Sequence, residues 1–323
     1  MEGIQDLRSI CSAPGKVILF GEHAVVYGHP AIAAATNQRT LVEADRCGDR
    51  FTVNGYRIHE RYHSYLLTAV ERVWGKDGDA VRLQTEGGVP SASGTGSSAA
   101  LTVAAVGALH QLKQDVGLPS IAQDAFAVER VTQGGGSPTD TSVSTAGGGI
   151  AISGTKPDVG DPLWDIHWED QTWFVERVPM PELTLVVGNS GVKGKTDLEV
   201  AKVARAVKKN AMLRDTLKEI GDITRDAISP LHDKDWVAIG EMMNKTHGCL
   251  HTLGVNHPAV QRLVEGVREL PGTFGAKITG AGGGGSMIAL SERPETVAAR
   301  IEELGGTPYI VKLGGPGVQW QND

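Results

Sequence analysis

The residues best suited to chemistry lie where glycine clusters beside serine, threonine and lysine. The run VPSASGTGSSAALTVAAVGAL, Val89 to Leu109, is a Pro/Ser/Gly loop that passes at Gly96-Ser97-Ser98 into an apolar stretch of helical length. The first N–H groups of such a helix have no carbonyl partners, and its dipole places partial positive charge at the same end. Glycine lets the backbone close on an anion, while serine hydroxyls hydrogen-bond a phosphate or ligate Mg²⁺. Pro90, Ser91, Ala92, Ser93, Gly94, Thr95, Gly96, Ser97, Ser98 and Ala99 are therefore candidate contacts to a nucleotide polyphosphate. Taken alone, the segment also reads as a plain turn with a serine cap. Further glycine clusters flank Lys16, Glu22 and His23, precede Asp140, and fill Gly280 to Gly285.

Other templates compete for the same chain. Gly94-x-Gly96-x-x-Ala99 fits the dinucleotide fingerprint formally, but GGVPSAS separates it from the strand it should follow, and no acid-tipped second strand comes about twenty residues on. Gly194-Lys195-Thr196 sits between a strand and a helix, as in a Walker loop, yet the required earlier glycine falls on Asn189. Lys195 and Thr196 remain candidates to face a site. His59-Glu60-Arg61-Tyr62-His63 matches the H-E-x-x-H zinc-protease pattern on a predicted helix, with no evident third ligand. His247, Cys249, His251 and His257 form a looser cluster, read as one face of a helix and the loop after it.

These segments need a scaffold, and the pattern of apolar residues supplies one. Strands are expected at Lys16–Phe20, 41–44, 80–85, 148–152, 183–187, 277–278, 285–290 and 309–311; helices at 59–74, 97–112, 120–131, 196–209, 211–228, 236–250 and 295–304. Residues 157–180, with Pro157, Pro162 and Pro179 among acids, show no clear period and read as the rim of a first lobe. Strands and helices mix throughout, so the class is α/β or α+β, in lobes spanning 1–180 and 181–323. Of 323 residues, 40% are hydrophobic and 21% charged, which excludes disorder and coiled coil. A net charge of −7 argues against a nucleic-acid partner, though a small anionic substrate needs only one or two local cations. Three scattered cysteines (Cys11, Cys47, Cys249) fit a reducing cytoplasm. The N-terminal segment MEGIQDLRSI has no apolar signal core, and no stretch is long enough to span a membrane, so a cytoplasmic location is expected.

The segment APGKVILFGEHAVVYG, Ala13 to Gly28, resembles the first motif of the GHMP kinases, and within them the mevalonate-phosphorylating branch. VPSASGTGSSAA is similar to that family's phosphate loop, with Ser93 and Thr95 where small or apolar residues are usual. KITGAGGGGSMIAL, Lys277 to Leu290, is similar to its third, glycine-rich motif, and SPTDTSVSTAGGG resembles the compact archaeal members. The resemblance runs the whole length in the right order. It implies an α+β, two-lobed GHMP kinase fold, with a left-handed βαβ unit in the N-terminal lobe and a ferredoxin-like C-terminal lobe. It implies ATP and Mg²⁺ as cofactors and the primary hydroxyl of mevalonate as acceptor, with a homodimer allowed. By the same resemblance Ser98 and Glu129 hold the metal, Glu129 preceding Asp140 by eleven positions. Asp140 accepts the hydroxyl proton, and Lys16 sits beside it, an arrangement equally compatible with a structural ion pair. Glu22, His23, Thr196 and Gly282, with Lys16 and Asp140, face the acceptor. The alternatives are another small-molecule kinase of the family (for homoserine or phosphomevalonate), a zinc protease on His59, Glu60 and His63, and a member that binds ligand without catalysis.

Overall fold

The computed structural model describes residues 8–46, 50–75, 79–90, 93–155, 159–194 and 196–321. The chain opens with two long strands, β1 (Arg8–Phe20) and β2 (Ala31–Arg46), paired antiparallel along most of their length. Their register slips between Pro14 and Lys16, where proline lacks a ladder donor. The Lys16 amide turns away from the ladder and donates to the Thr95 carbonyl at 2.8 Å. Gly15 permits this approach, because a Cβ there would lie 2.6 Å from that same carbonyl oxygen.

The short strands β3 (Thr52–Val53) and β4 (Tyr56–Arg57) lead to helix α1 (Glu60–Ala69), which ends in a wider turn at Val70–Trp74. Strand β5 (Val81–Gly87) pairs with β2, and the phosphate-loop candidate leads into α2 (Ser97–Leu112). From Ala99 onward α2 is apolar nearly all round and almost wholly buried, as a helix without a polar face must be. It packs on β1 and β2, with α3 (Leu118–Gln133) and α4 (Thr139–Ala146) beside it. Strand β6 (Gly149–Ser153) pairs with β2, and the hairpin β7 (Asp161–Trp168)–β8 (Gln171–Val178) extends the sheet from β6. The stretch expected as an irregular rim is thus mostly strand. Pro162 sits at a register slip on the outer strand β7, where a missing donor is tolerated.

The second lobe begins at β9 (Leu183–Asn189), continues through α5 (Thr196–Lys209), α6 (Ala211–Asp226), α7 (Ile228–Asp233), α8 (Trp236–Thr252) and α9 (Pro258–Arg268), and reaches β10 (Thr273–Thr279). Then come β11 (Ser286–Ser291), α10 (Pro294–Glu303), β12 (Thr307–Leu313) and β13 (Gln319–Gln321). The sheet order β10-β11-β9-β12, antiparallel at every step, is the ferredoxin-like arrangement expected. One apolar core (Val203, Leu217, Ile220, Leu250, Leu263 and Ile278 among others) joins its helices to its sheet. β12 touches β2 at Leu313 and Thr36, and β13 returns to pair with β1, so the chain's last described strand belongs to the first lobe's sheet.

Candidate active site

The two lobes face each other across a cleft of about 660 Å³. Its floor is the loop entering α2. Gly94 and Gly96 both hold positive φ, and no described side chain caps the first turn of α2, which leaves its amide donors for an anion. Ser93, Gly94, Gly96, Ser97 and Ser98 line the cleft. Thr95 and Ala99 are fully buried beneath it, and the Pro90 carbonyl accepts from the Ser93 hydroxyl at 2.7 Å. Ser91 and Ala92, like Cys47 and Lys195, lie outside the described residues.

Above this floor stand Lys16, from β1, and Asp140, from the first turn of α4, with Nζ 2.9 Å from Oδ2. The Lys16 side chain is 7% exposed and that of Asp140 33%, so the lysine is fixed while the carboxylate opens on the cleft. Glu129, on α3, accepts from the Ser98 hydroxyl at 3.2 Å and from the Gln133 amide at 3.4 Å. Burial, and then the neighbouring charge of Asp140, push its carboxyl up to about 8, against the pull of Ser98 and Lys16. A serine hydroxyl beside a carboxyl, with the charge of Asp140 close by, forms an oxygen donor set that a small divalent cation would relieve, so Ser98 and Glu129 fit Mg²⁺.

The far wall joins the lobes. Glu22, in the turn after β1, forms a buried ion pair with Lys277 of β10, whose ammonium also donates to the Ile278 carbonyl at 2.7 Å. Burial pushes Glu22 up and Lys277 down from their ordinary values, each opposed by the other's charge. His23 holds φ 62, a left-handed conformation rare outside glycine, and its Nε2 donates to the Ala281 carbonyl at 2.9 Å. Burial lowers its basicity and favours the neutral ring. Thr279 donates to the Ile18 carbonyl at 3.0 Å, and Ser286 to the Ser93 carbonyl at 2.6 Å, tying the glycine-rich turn to β1 and to the phosphate loop. Thr196 and Gly282 line the same cleft.

The sequence reading missed Tyr65, Gln133 and Lys193, which also line the cleft, and Lys277, which lies behind it. Lys277 carried a signal, as a lone cation between apolar residues of a strand; the others stand in segments without distinguishing pattern. The H-E-x-x-H match does not form a metal site. The His59 Nδ1 accepts from the Arg61 amide and caps α1, while the His63 Nδ1 accepts from the His59 amide at 3.1 Å. His63 itself has φ −127, so the one-face spacing that the pattern needs is lost. Among the described residues no three His, Cys, Asp or Glu side chains cluster around a point that would hold a metal. Cys249, His251 and His257 likewise stand at the end of α8 and the loop before α9.

A glycine-rich loop feeding a helix N-terminus beside a lysine, a serine and two carboxylates is an arrangement able to hold and transfer a phosphoryl group. The description "GHMP kinases N terminal domain" matches residues 62–148, and "GHMP kinases C terminal" matches residues 227–309. The chain belongs to the GHMP kinase family. It is 34% identical to the mevalonate kinase of Thermococcus onnurineus, over 97% of this chain and 98% of that one. It is 33% identical to the mevalonate kinase of Archaeoglobus fulgidus, over 91% and 100%. The solved mevalonate kinase of Methanococcus jannaschii superposes with TM-score 0.75 at 26% identity, over 95% of this chain and 98% of that one. That of L. major, in complex with R-mevalonate, shares the fold with TM-score 0.78 at 22% identity, over 95% and 96%. No described helix is long and apolar enough to cross a membrane.

Proposed function

We propose that this chain transfers the γ-phosphoryl group of ATP to the 5-hydroxyl of mevalonate, giving 5-phosphomevalonate. The observation that carries the reading is the Lys16–Asp140 pair at 2.9 Å, set over the α2 N-terminus in a chain that matches mevalonate kinases from end to end. In this reading Asp140 accepts the hydroxyl proton as the acceptor oxygen bonds to the γ-phosphorus and the bond to the β-bridging oxygen breaks. Lys16 keeps Asp140 ionised and offsets negative charge on the phosphoryl group in transit. The Ser93–Ser98 loop and the amides of α2 hold the polyphosphate. Ser98 and Glu129 would hold Mg²⁺, which neutralises charge on the phosphate oxygens when bound. Glu22, His23, Thr196 and Gly282 shape the acceptor side, and lobes 1–180 and 181–323 meet there.

The test is ADP release with MgATP, offering mevalonate, phosphomevalonate, homoserine and galactose in parallel. Turnover with mevalonate alone is expected. Turnover with another of the four instead would keep the fold and move the substrate, and none with any would overturn the reading.

A further inference from the structure

Lys277 is the least expected side chain in the molecule. It stands on β10 between Ala276 and Ile278, all three fully buried. Its ammonium meets Glu22 Oε1 and the Ile278 carbonyl, and both charged side chains of the pair are essentially inaccessible, at 0% and 1%. A buried ion pair is no efficient way to stabilise a fold, since apolar residues of the same volume commonly do as well or better. The Glu22 side chain is also only half used. Oε1 faces Lys277, while Oε2, equally buried, has no hydrogen-bond partner from another described residue, and Glu22 lines the cleft. A buried carboxylate oxygen without a donor carries an uncompensated desolvation cost unless a ligand supplies the donor.

We propose that Lys277 is a positioning residue: it pins Glu22 so that Oε2 accepts a hydrogen bond from a hydroxyl of the acceptor that is not itself phosphorylated. The inference deepens the phosphoryl-transfer reading and rests on it. Lys277 touches no substrate. It acts from the second lobe, through the turn that also carries His23, whose ring is held by the Ala281 carbonyl of the adjoining glycine-rich turn. The acceptor's spare hydroxyl is thereby read by a group whose orientation depends on both lobes.

The experiment compares mevalonate with its 3-deoxy analogue, which keeps the carboxylate and the reacting hydroxyl but lacks the second one. In the wild-type protein, kcat/KM for the analogue is expected to fall by about 10- to 100-fold, the range of a hydrogen bond to a charged group. In Lys277→Met that discrimination is expected to collapse to within about threefold, the loss falling on the KM for mevalonate and not on the KM for ATP. A purely structural pair would lower both substrates' kcat/KM alike and leave their ratio intact, which would overturn the proposal. Should Lys277→Met fail to fold, Glu22→Gln with Lys277 intact serves for the same ratio: its amide oxygen takes Lys277 and its NH₂ stands where Oε2 was, so discrimination that persists there would overturn the proposal. Absence of wild-type turnover with mevalonate would instead overturn the underlying functional reading and the proposal with it.

Discussion

Gly96→Ala separates the placement of Lys16 from every other property of the phosphate loop. Gly96 has φ 75 and ψ 36, and a Cβ built on it lies 2.7 Å from Lys16 Cγ, 3.0 Å from Cε and 3.3 Å from Cδ. Carbon atoms settle at about 3.5 Å or more, so the lysine stem must retreat by about 0.8 Å. The backbone of Lys16 cannot yield, because its amide is bonded to the Thr95 carbonyl at 2.8 Å in the middle of β1. The movement therefore goes into the side-chain torsions and carries Nζ off Asp140 Oδ2, now 2.9 Å away. Displacing a positioned group by about 1 Å reduces turnover by up to about 100-fold, or about 2.7 kcal/mol of transition-state stabilisation. Alanine in a left-handed conformation also costs about 1–2 kcal/mol of stability wherever it is placed. Gly305→Ala supplies the control: its φ is 81, nothing lies within 4 Å of the added Cβ, and it sits in the turn after α10. Both variants are expected to lose similar stability by urea midpoint. Only Gly96→Ala is expected to lose kcat, measured by ADP release at saturating MgATP and mevalonate. Equal kcat in the two variants would refute the argument that Lys16 geometry sets the rate.

Asp140→Asn is expected to lower kcat by several orders of magnitude while ATP affinity, read by equilibrium titration, stays near wild type, because the proposed role of the carboxylate is to take the proton and not to hold the nucleotide. Glu129→Gln removes from the proposed donor set a carboxyl that a bound cation would ionise, and is expected to raise the half-saturating Mg²⁺ concentration at least about tenfold, read from initial rates at fixed ATP. His247 gives a pH signature in stability. Its Nδ1 accepts from the Ile278 amide at 3.4 Å and its Nε2 meets the Gln261 side-chain oxygen at 3.0 Å, while burial, and then Arg268, lower it from 6.5 to about 4. Between those values the unfolded chain binds a proton that the folded chain refuses, so the contribution is full above about pH 6.5 and lost as pH falls toward 4. His247→Gln is expected to remove at most about 1.4 kcal/mol per pH unit of slope in that window, by urea denaturation; an unchanged slope would sink the assignment.

How much of this was legible depends on whether a segment's pattern is set locally. α2 was, because an unbroken apolar run behind a glycine and two serines has few other fates, and its observed bounds, Ser97–Leu112, are those expected. β7 and β8 were not. Trp164, Ile166 and Trp168 do alternate, but prolines and acids hide the period, and among the described strands β7 pairs with β8 alone. α4 was not among the expected helices, since Thr139-Asp140-Thr141-Ser142-Val143-Ser144-Thr145 is made of weak helix formers. Its helix is imposed by packing: Thr141, Ser142, Ser144 and Thr145 are all buried against neighbouring elements. α9 had readable signals that went unused, with His257 as its cap and Pro258 at its first turn. Lys16, Ser98, Glu129 and Asp140 each lie in, or at a fixed spacing from, a motif, and the structure brings all four to one cleft. Lys277 lies in one of those same motifs, yet its partner Glu22 stands on the other lobe, and no local spacing encodes that pairing.

The division of labour between the lobes follows from where these contacts fall. Lys16, Ser98, Glu129 and Asp140 stand on β1, α2, α3 and α4, so the four side chains proposed for the chemical step are carried by one lobe. The second lobe instead grips the margins: Ser286 holds the Ser93 carbonyl in the phosphate loop, Thr279 holds the Ile18 carbonyl just beyond Lys16, and Lys277 and the Ala281 carbonyl hold Glu22 and His23. Each of these contacts ends on backbone or on Glu22 or His23, and none of them on Lys16, Ser98, Glu129 or Asp140. Under the proposed roles, loosening the second lobe acts first on which acceptor is held and how tightly, and reaches the rate only when the floor beneath Lys16 gives way.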